Sequence, residues 1–161
     1  MNTFVSKLNK FHITISAVFL AIFLISVVIQ VVTRLMGISV AWTQDISVYA
    51  FIWSVFLGGS AMIYPMKHFA FTSLVDTLKS KKSKQIVNLI IYIVMLIFTI
   101  NMFFYGIIIT QKFWNYRCVN LLALKRGYTW ICIPISAALG IIYLVNHIYY
   151  GFKRLTKGAL V

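Results

Sequence analysis

The segment 42–68, WTQDISVYAFIWSVFLGGSAMIYPMKH, opens beside an acid, Asp45, and then runs uncharged to Lys67. Only one other acidic residue, Asp76, occurs in the chain. The run Ile46–Met66 reaches the ~20 residues that cross a hydrocarbon core of ~30 Å as an α-helix. Three more uncharged runs, Phe11–Thr33, Gln85–Gln111 and Gly127–Phe152, share its character. The chain is 61% hydrophobic and 11% charged, with a mean hydropathy of +0.93. A soluble domain of this length would carry about a quarter charged residues. A closed β-barrel would need alternating strands of ~10 residues, and no such alternation is present. The expectation is an all-α integral membrane protein, one domain over 1–161, with four transmembrane helices at about 11–35, 46–66, 85–111 and 128–151.

Lys7 and Lys10 precede the first apolar run in the manner of a signal peptide. That run is too long for a signal core and no A-x-A-like cleavage site ends it, so it reads as a retained first helix. The spans divide the 15 basic residues ten to five. Lys7, Lys10, Lys67, Lys79, Lys81, Lys82, Lys84, Lys153, Arg154 and Lys157 fall on one side, and Arg34, Lys112, Arg117, Lys125 and Arg126 on the other. The positive-inside rule places the first set, and both termini, in the cytoplasm (N-in/C-in).

The net charge of +13 does not indicate a nucleic-acid partner, because the charges border membrane spans and no soluble face interleaves them with aromatics. The run KSKKSK (79–84) is read as meeting anionic lipid headgroups through Lys79, Lys81, Lys82 and Lys84, with a solvated loop as the alternative. Before it, Phe71, Leu74, Val75 and Leu78 recur at helical spacing, opposite Thr72, Ser73, Asp76 and Thr77. This predicts a short interfacial helix at about 69–79, between spans two and three.

Catalytic chemistry finds little footing. Cys118 and Cys132 form no C-x-x-C pair, which argues against zinc and thioredoxin-like chemistry, and leaves a disulfide between them open. His12, His68 and His147 map near span ends, where boundary residues are commoner than haem ligands. Ion coupling normally needs an ionisable residue at membrane depth, and no span carries one. Asp45 sits at the outer boundary, read as a cap for the second span or as the partner of a basic neighbour. Gln30 and Asn101 read as hydrogen bonds between helices, and Pro134 as a kink. Trp42, Trp114, Tyr116, Tyr128 and Trp130 read as interfacial anchors.

The second span instead offers a packing surface. Ser47, Ala50, Ser54, Gly58 and Ala61 form a stripe of small residues that lets another helix come close. Tyr49, Trp53, Phe56 and Ser60 form a bulkier stripe beside it. Either the chain's own helices or a partner subunit satisfies this pattern.

The opening segment resembles the small membrane subunit of tripartite ATP-independent periplasmic (TRAP) transporters. The resemblance rests on Trp42, the Gln44–Asp45 pair, Tyr49, Trp53, the run Leu57–Gly58–Gly59–Ser60, and His68. A later run, LLALKRGYTWICIPIS (121–136), resembles the family's lead-in to its last helix, with Pro134 matching. Val48 stands where the family often has Arg, and Thr72 where it often has an acid.

The resemblance implies a scaffold subunit, not an enzyme and without a cofactor of its own. It would pair with a large permease subunit that holds the sodium and substrate sites, and serve a periplasmic binding protein delivering an organic anion. Under this reading Ser47, Tyr49, Ala50, Trp53, Ser54, Gly58, Gly59 and Ala61 are partner-packing candidates. Lys112, Arg117, Lys125 and Arg126 are candidates for docking the binding protein. The competing readings are an independent oligomeric carrier or channel, which predicts flux from this chain alone, and a haem enzyme, which predicts a visible absorption band.

Overall fold

The computed structural model describes residues 3–38, 40–65 and 81–158. These residues form α1 (Thr3–Leu35), α2 (Trp42–Ala61), α3 (Lys81–Phe113), the single turn α4 (Gly127–Trp130) and α5 (Cys132–Gly158). Among the described residues the one extended pairing is an antiparallel bridge between Arg117 and Lys125. Helices α1, α3 and α5 are long and apolar enough to cross a membrane. The 20-residue α2 is not among them, since Gln44 and Asp45 occupy its start and small polar residues much of its length. The expected interfacial helix at 69–79, with His68 and Lys79, lies outside the described residues.

Helix bounds differ from the apolar runs because a helix ends where its hydrogen bonds end, not where hydrocarbon begins. α1 starts at Thr3 rather than near residue 11, so Lys7 and Lys10 sit on its exposed side while Val5, Asn9 and His12 turn inward. α2 spans 42–61 rather than 46–66. Asp45 belongs in its first turn, where the helix dipole favours an acid, and Met62–Pro65 form turns. α3 takes in Lys81, Lys82 and Lys84 as its first turn rather than leaving them in a loop. Pro134 interrupts the fourth expected span: the helical path from α4 to α5 breaks for one residue at Ile131. The Ile131 N–H still donates to Gly127 O at 3.0 Å and the Ile135 N–H to Ile131 O at 3.3 Å, on either side of the bond to Trp130 O that Pro134 cannot make.

α1 ends in a Schellman turn. Gly37 adopts φ +74°, its N–H donates to Arg34 O at 3.1 Å, and the Ile38 N–H donates to Thr33 O at 2.9 Å.

Packing follows a four-three repeat, the 3.5-residue period of helices that run side by side. On α1 the inward seam is Val5, Asn9, His12, Ser16, Phe19, Phe23 and Ser26. On α2 it is Thr43, Ser47, Ala50, Ser54, Leu57 and Ala61, all buried. The two seams meet, with Phe19 stacked on Trp53 at 5.0 Å between ring centroids and the Ser16 hydroxyl donating to Ser54 O at 3.2 Å. α5 is the most buried of the long helices and takes α2 on one side and α3 on the other. The helices therefore stand in the order α1–α2–α5–α3, with α1 and α3 at the edges. At the end that carries both termini, Val5, Ile63, Tyr143 and Leu144 close a small core against Tyr64, Met95 and Leu139.

α3 comes close to α5 at Gly106. A Cβ there would lie 2.9 Å from Ile133 Cγ2, 3.0 Å from Pro134 Cδ and 3.1 Å from the Pro134 nitrogen. Hydroxyls along the seams are satisfied by their own helices: Thr99 donates to Met95 O, Thr110 to Gly106 O and Ser136 to Ile133 O.

Candidate partner-docking site

Residues 114–126 join α3 to α4 at the end opposite the termini, and they fold back on themselves. The Cys118 N–H donates to Leu124 O at 3.0 Å and the Arg126 N–H to Tyr116 O at 2.8 Å, which pairs the two arms around a tip at 119–123. Asp45 holds that tip. Its Oδ2 accepts the N–H of Asn120 at 2.8 Å and that of Leu121 at 2.9 Å. Beside its place in the first turn of α2, the carboxylate therefore has a second engagement, with the loop. It ties the first turn of α2 to a loop some 75 residues further along the chain.

Aromatic residues complete this end. Trp114 packs edge-on to Tyr128 at 5.6 Å, Phe113 meets Trp130 at 5.8 Å, and the Trp53 Nε1–H donates to Tyr128 O at 2.9 Å. Trp42 is exposed at the start of α2. The four basic docking candidates surround the loop. Lys112 ends α3, Arg117 and Lys125 sit across the bridge from each other, and Arg126 precedes α4. Lys112, Arg117 and Arg126 are exposed and Lys125 is half-buried.

Arg126 also lines a cleft of about 540 Å³ between α2 and the loop, shared with Gln44, Asp45, Tyr49, Asn120 and Trp130. Cys118 lies in its wall. Burial pushes its thiol pKa up, the Asp45 carboxylate adds to that, and Arg126 opposes it. Cys118 and Cys132 are both buried and are not joined to each other; the Cys132 thiol donates to Thr129 O.

The small-residue stripe of α2 faces the chain's own helices. Ser47, Ala50, Ser54 and Ala61 are buried, and Gly58 lies against Ser16 of α1. Within the chain, α1 and α5 take the close approach that these small side chains permit. Tyr49 and Trp53 are half-buried against Phe19. Gly59 borders an apolar groove of about 440 Å³ between α2 and α3, which Phe98, Met102 and Ser136 also line.

The opposite end holds a polar centre that boundary-residue reasoning missed. His12 is buried, with Nδ1 3.3 Å from the Tyr143 hydroxyl and Nε2 3.4 Å from the Ser60 hydroxyl, so one ring joins α1, α2 and α5. One turn nearer the termini, Asn9 Oδ1 and Asn146 Nδ2 are buried without hydrogen-bond partners among the described residues. His147 reaches Tyr64 O at 2.9 Å. The available signal was the four-three spacing of Val5, Asn9, His12 and Ser16, which puts His12 on the packing seam. His12→Leu is expected to strand the fully buried Tyr143 hydroxyl and cost about 1–3 kcal/mol. Thermal melting in mild detergent checks this, and His12→Gln, which keeps a polar end, should lose less.

Gln30 is half-buried and lines a small cleft with Arg34 and Gln44. Asn101 does not link the described helices to one another. It is exposed on α3, and its Nδ2 donates to Ile97 O of its own helix at 2.8 Å.

The family model described as tripartite ATP-independent periplasmic transporters, DctQ component, matches residues 22–154, which takes in the C-terminal part of α1, all of α2, α3 and α4, and most of α5. No curated protein matches the chain. The match covers both segments that carry the sequence resemblance and agrees with the three apolar helices fit to cross a membrane. The chain belongs to the DctQ component family of TRAP transporters, a family of transporter components of the bacterial inner membrane rather than of enzymes.

Proposed function

We propose that this chain is the small scaffold subunit of a TRAP secondary transporter. It pairs with a large permease subunit and serves a periplasmic binding protein in sodium-driven uptake of an organic anion: a C4-dicarboxylate, a sialic acid or another carboxylate. The observation that carries the reading is a row of helices without a carboxylate at membrane depth among the described residues. Asp45, the acid they include, is engaged with loop N–H groups at one end. Ion coupling normally uses ionisable groups within the bilayer or the backbone carbonyls of helices broken at its midplane, and the reading assigns the sodium and substrate sites to the large subunit. In this reading α2 crosses the membrane with α1, α3 and α5, both termini are cytoplasmic, and Lys79, Lys81, Lys82 and Lys84 meet lipid headgroups.

The test is mild purification of the tagged chain from its native membranes. A stoichiometric many-span permease in the eluate is the expected result. A clean homo-oligomer that conducts solute in liposomes of this chain alone would replace the reading with an independent carrier.

The exposed cations at the loop end are proposed to steer the binding protein. Neutralising Lys112, Arg117, Lys125 and Arg126 together should slow uptake most at low salt, because screening shortens the reach of surface charge. Unchanged uptake across a range of salt would remove these residues from docking.

A further inference from the structure

α3 carries two seams with the four-three repeat. The inward one runs through Leu96, Thr99, Phe103, Gly106 and Thr110 and meets α5. The outward one runs through Ile90, Val94, Ile97, Asn101, Phe104 and Ile108, every one exposed. We propose that this outward seam seats a membrane helix of the large permease subunit, with Asn101 hydrogen-bonding a polar side chain of that helix near the middle of the bilayer. The inference rests on the scaffold reading and adds to it the face by which the two subunits meet.

Depth excludes lipid as the occupant. The stretch of α3 fit to cross a membrane is Ser83–Phe113, and Asn101 lies about 18 Å along the helix from Phe113. That is too deep for a short amide to reach the headgroups. Its Nδ2 turns back to Ile97 O, which leaves the amide oxygen to whatever covers the seam. Acyl chains offer it nothing, whereas a neighbouring helix can supply a donor.

Tyr105, 64% exposed, adds a second hydroxyl on the same side, and the tilt of helical side chains toward the N-terminus leans it toward Asn101. A single Asn in an otherwise apolar seam is also a known means of setting the register of two helices. The outward side of α1, by contrast, offers Leu24, Ile25, Val28 and Val32, which hydrocarbon suits.

Charge excludes a second copy. A two-fold pair through α3 would set each residue against or near its own copy. α3 carries Lys84 in its first turn and Lys112 in its last and contains no acid, so like charges would meet at both ends.

A photo-crosslinking residue placed in turn at Ile97, Phe104 and Ile108, and at Leu24, Val28 and Val32, tests the face in native membranes, with adducts identified by mass. Adducts with the large subunit from the α3 positions and none from α1 are expected. Large-subunit adducts from α1 alone would overturn the α3 face while leaving the scaffold reading intact. Adducts of α3 with a second copy would overturn the choice of partner. A complex that never co-purifies would instead overturn the scaffold reading itself. Asn101→Leu should lower the large subunit retained through purification about tenfold without changing the melting of the isolated chain, and Asn101→Gln should restore part of it. Full retention by Asn101→Leu would remove Asn101 from the contact.

Discussion

Gly106→Leu is expected to abolish a monodisperse folded chain, and Gly106→Ala to lower its melting temperature by about 5 °C. The added Cβ falls 3.0–3.1 Å from Pro134 Cδ and nitrogen. Neither is the far end of a flexible side chain that can swing away, and Ile133 Cγ2 is nearer still. Relief therefore requires α3 and α5 to separate, which opens the largest contact between α5 and any neighbour. Overpacking of this kind costs about 1–3 kcal/mol for a single carbon and more for a branched side chain. The Ala variant regains up to about 1 kcal/mol of helix propensity, which offsets part of the loss.

Gly59 supplies the control. A Cβ there meets nothing within 4 Å among the described residues, so Gly59→Ala should be neutral or slightly stabilising. Melting curves of the three variants in one detergent decide the matter. Equal melting of Gly106→Ala and Gly59→Ala would show that the crossing has slack the geometry does not suggest.

Asp45→Ala should loosen the loop at the other end without unfolding the helices. Two backbone N–H groups, of Asn120 and Leu121, lose one charged acceptor. A hydrogen bond to a charged group contributes about 1.5–3 kcal/mol, and partial exposure here reduces the pair to about 2 kcal/mol in all. Amide exchange at residues 119–122 should accelerate about 30-fold, while the α3 and α5 amides keep their protection. Asp45→Asn retains an acceptor oxygen and should show a smaller acceleration. If Ala and Asn variants exchanged alike, the negative charge would contribute nothing to the clamp. If the wild-type tip already exchanged freely, the clamp would not hold in solution.

The apolar runs made α1, α3 and α5 legible, because a helix that crosses hydrocarbon must advertise its length in composition. Its ends were not legible in the same way. Lys7 and Lys10 looked like the flank of a span, yet an exposed side is enough to accommodate them inside a helix whose other side is packed. The small-residue stripe of α2 correctly signalled close approach, but small side chains do not say which helix approaches.

His12 was misjudged from its place along the chain. Its place around the helix, three residues from Asn9 and four from Ser16, was the better guide. The Asp45 clamp was out of reach from one sequence, since nothing local to residue 45 names residues 120 and 121. Asn101 was recognised as a polar residue at depth, and only the register of α3 shows that it points away from the chain's own helices.

The order α1–α2–α5–α3 has a consequence for how the chain comes apart. The main contacts run in one series, and no other pair of these four helices touches to a comparable extent. Each link therefore has little to back it up: parting α3 from α5 leaves α3 only the single turn α4 to hold, whereas α1 keeps a second tie to α5 through the His12 ring.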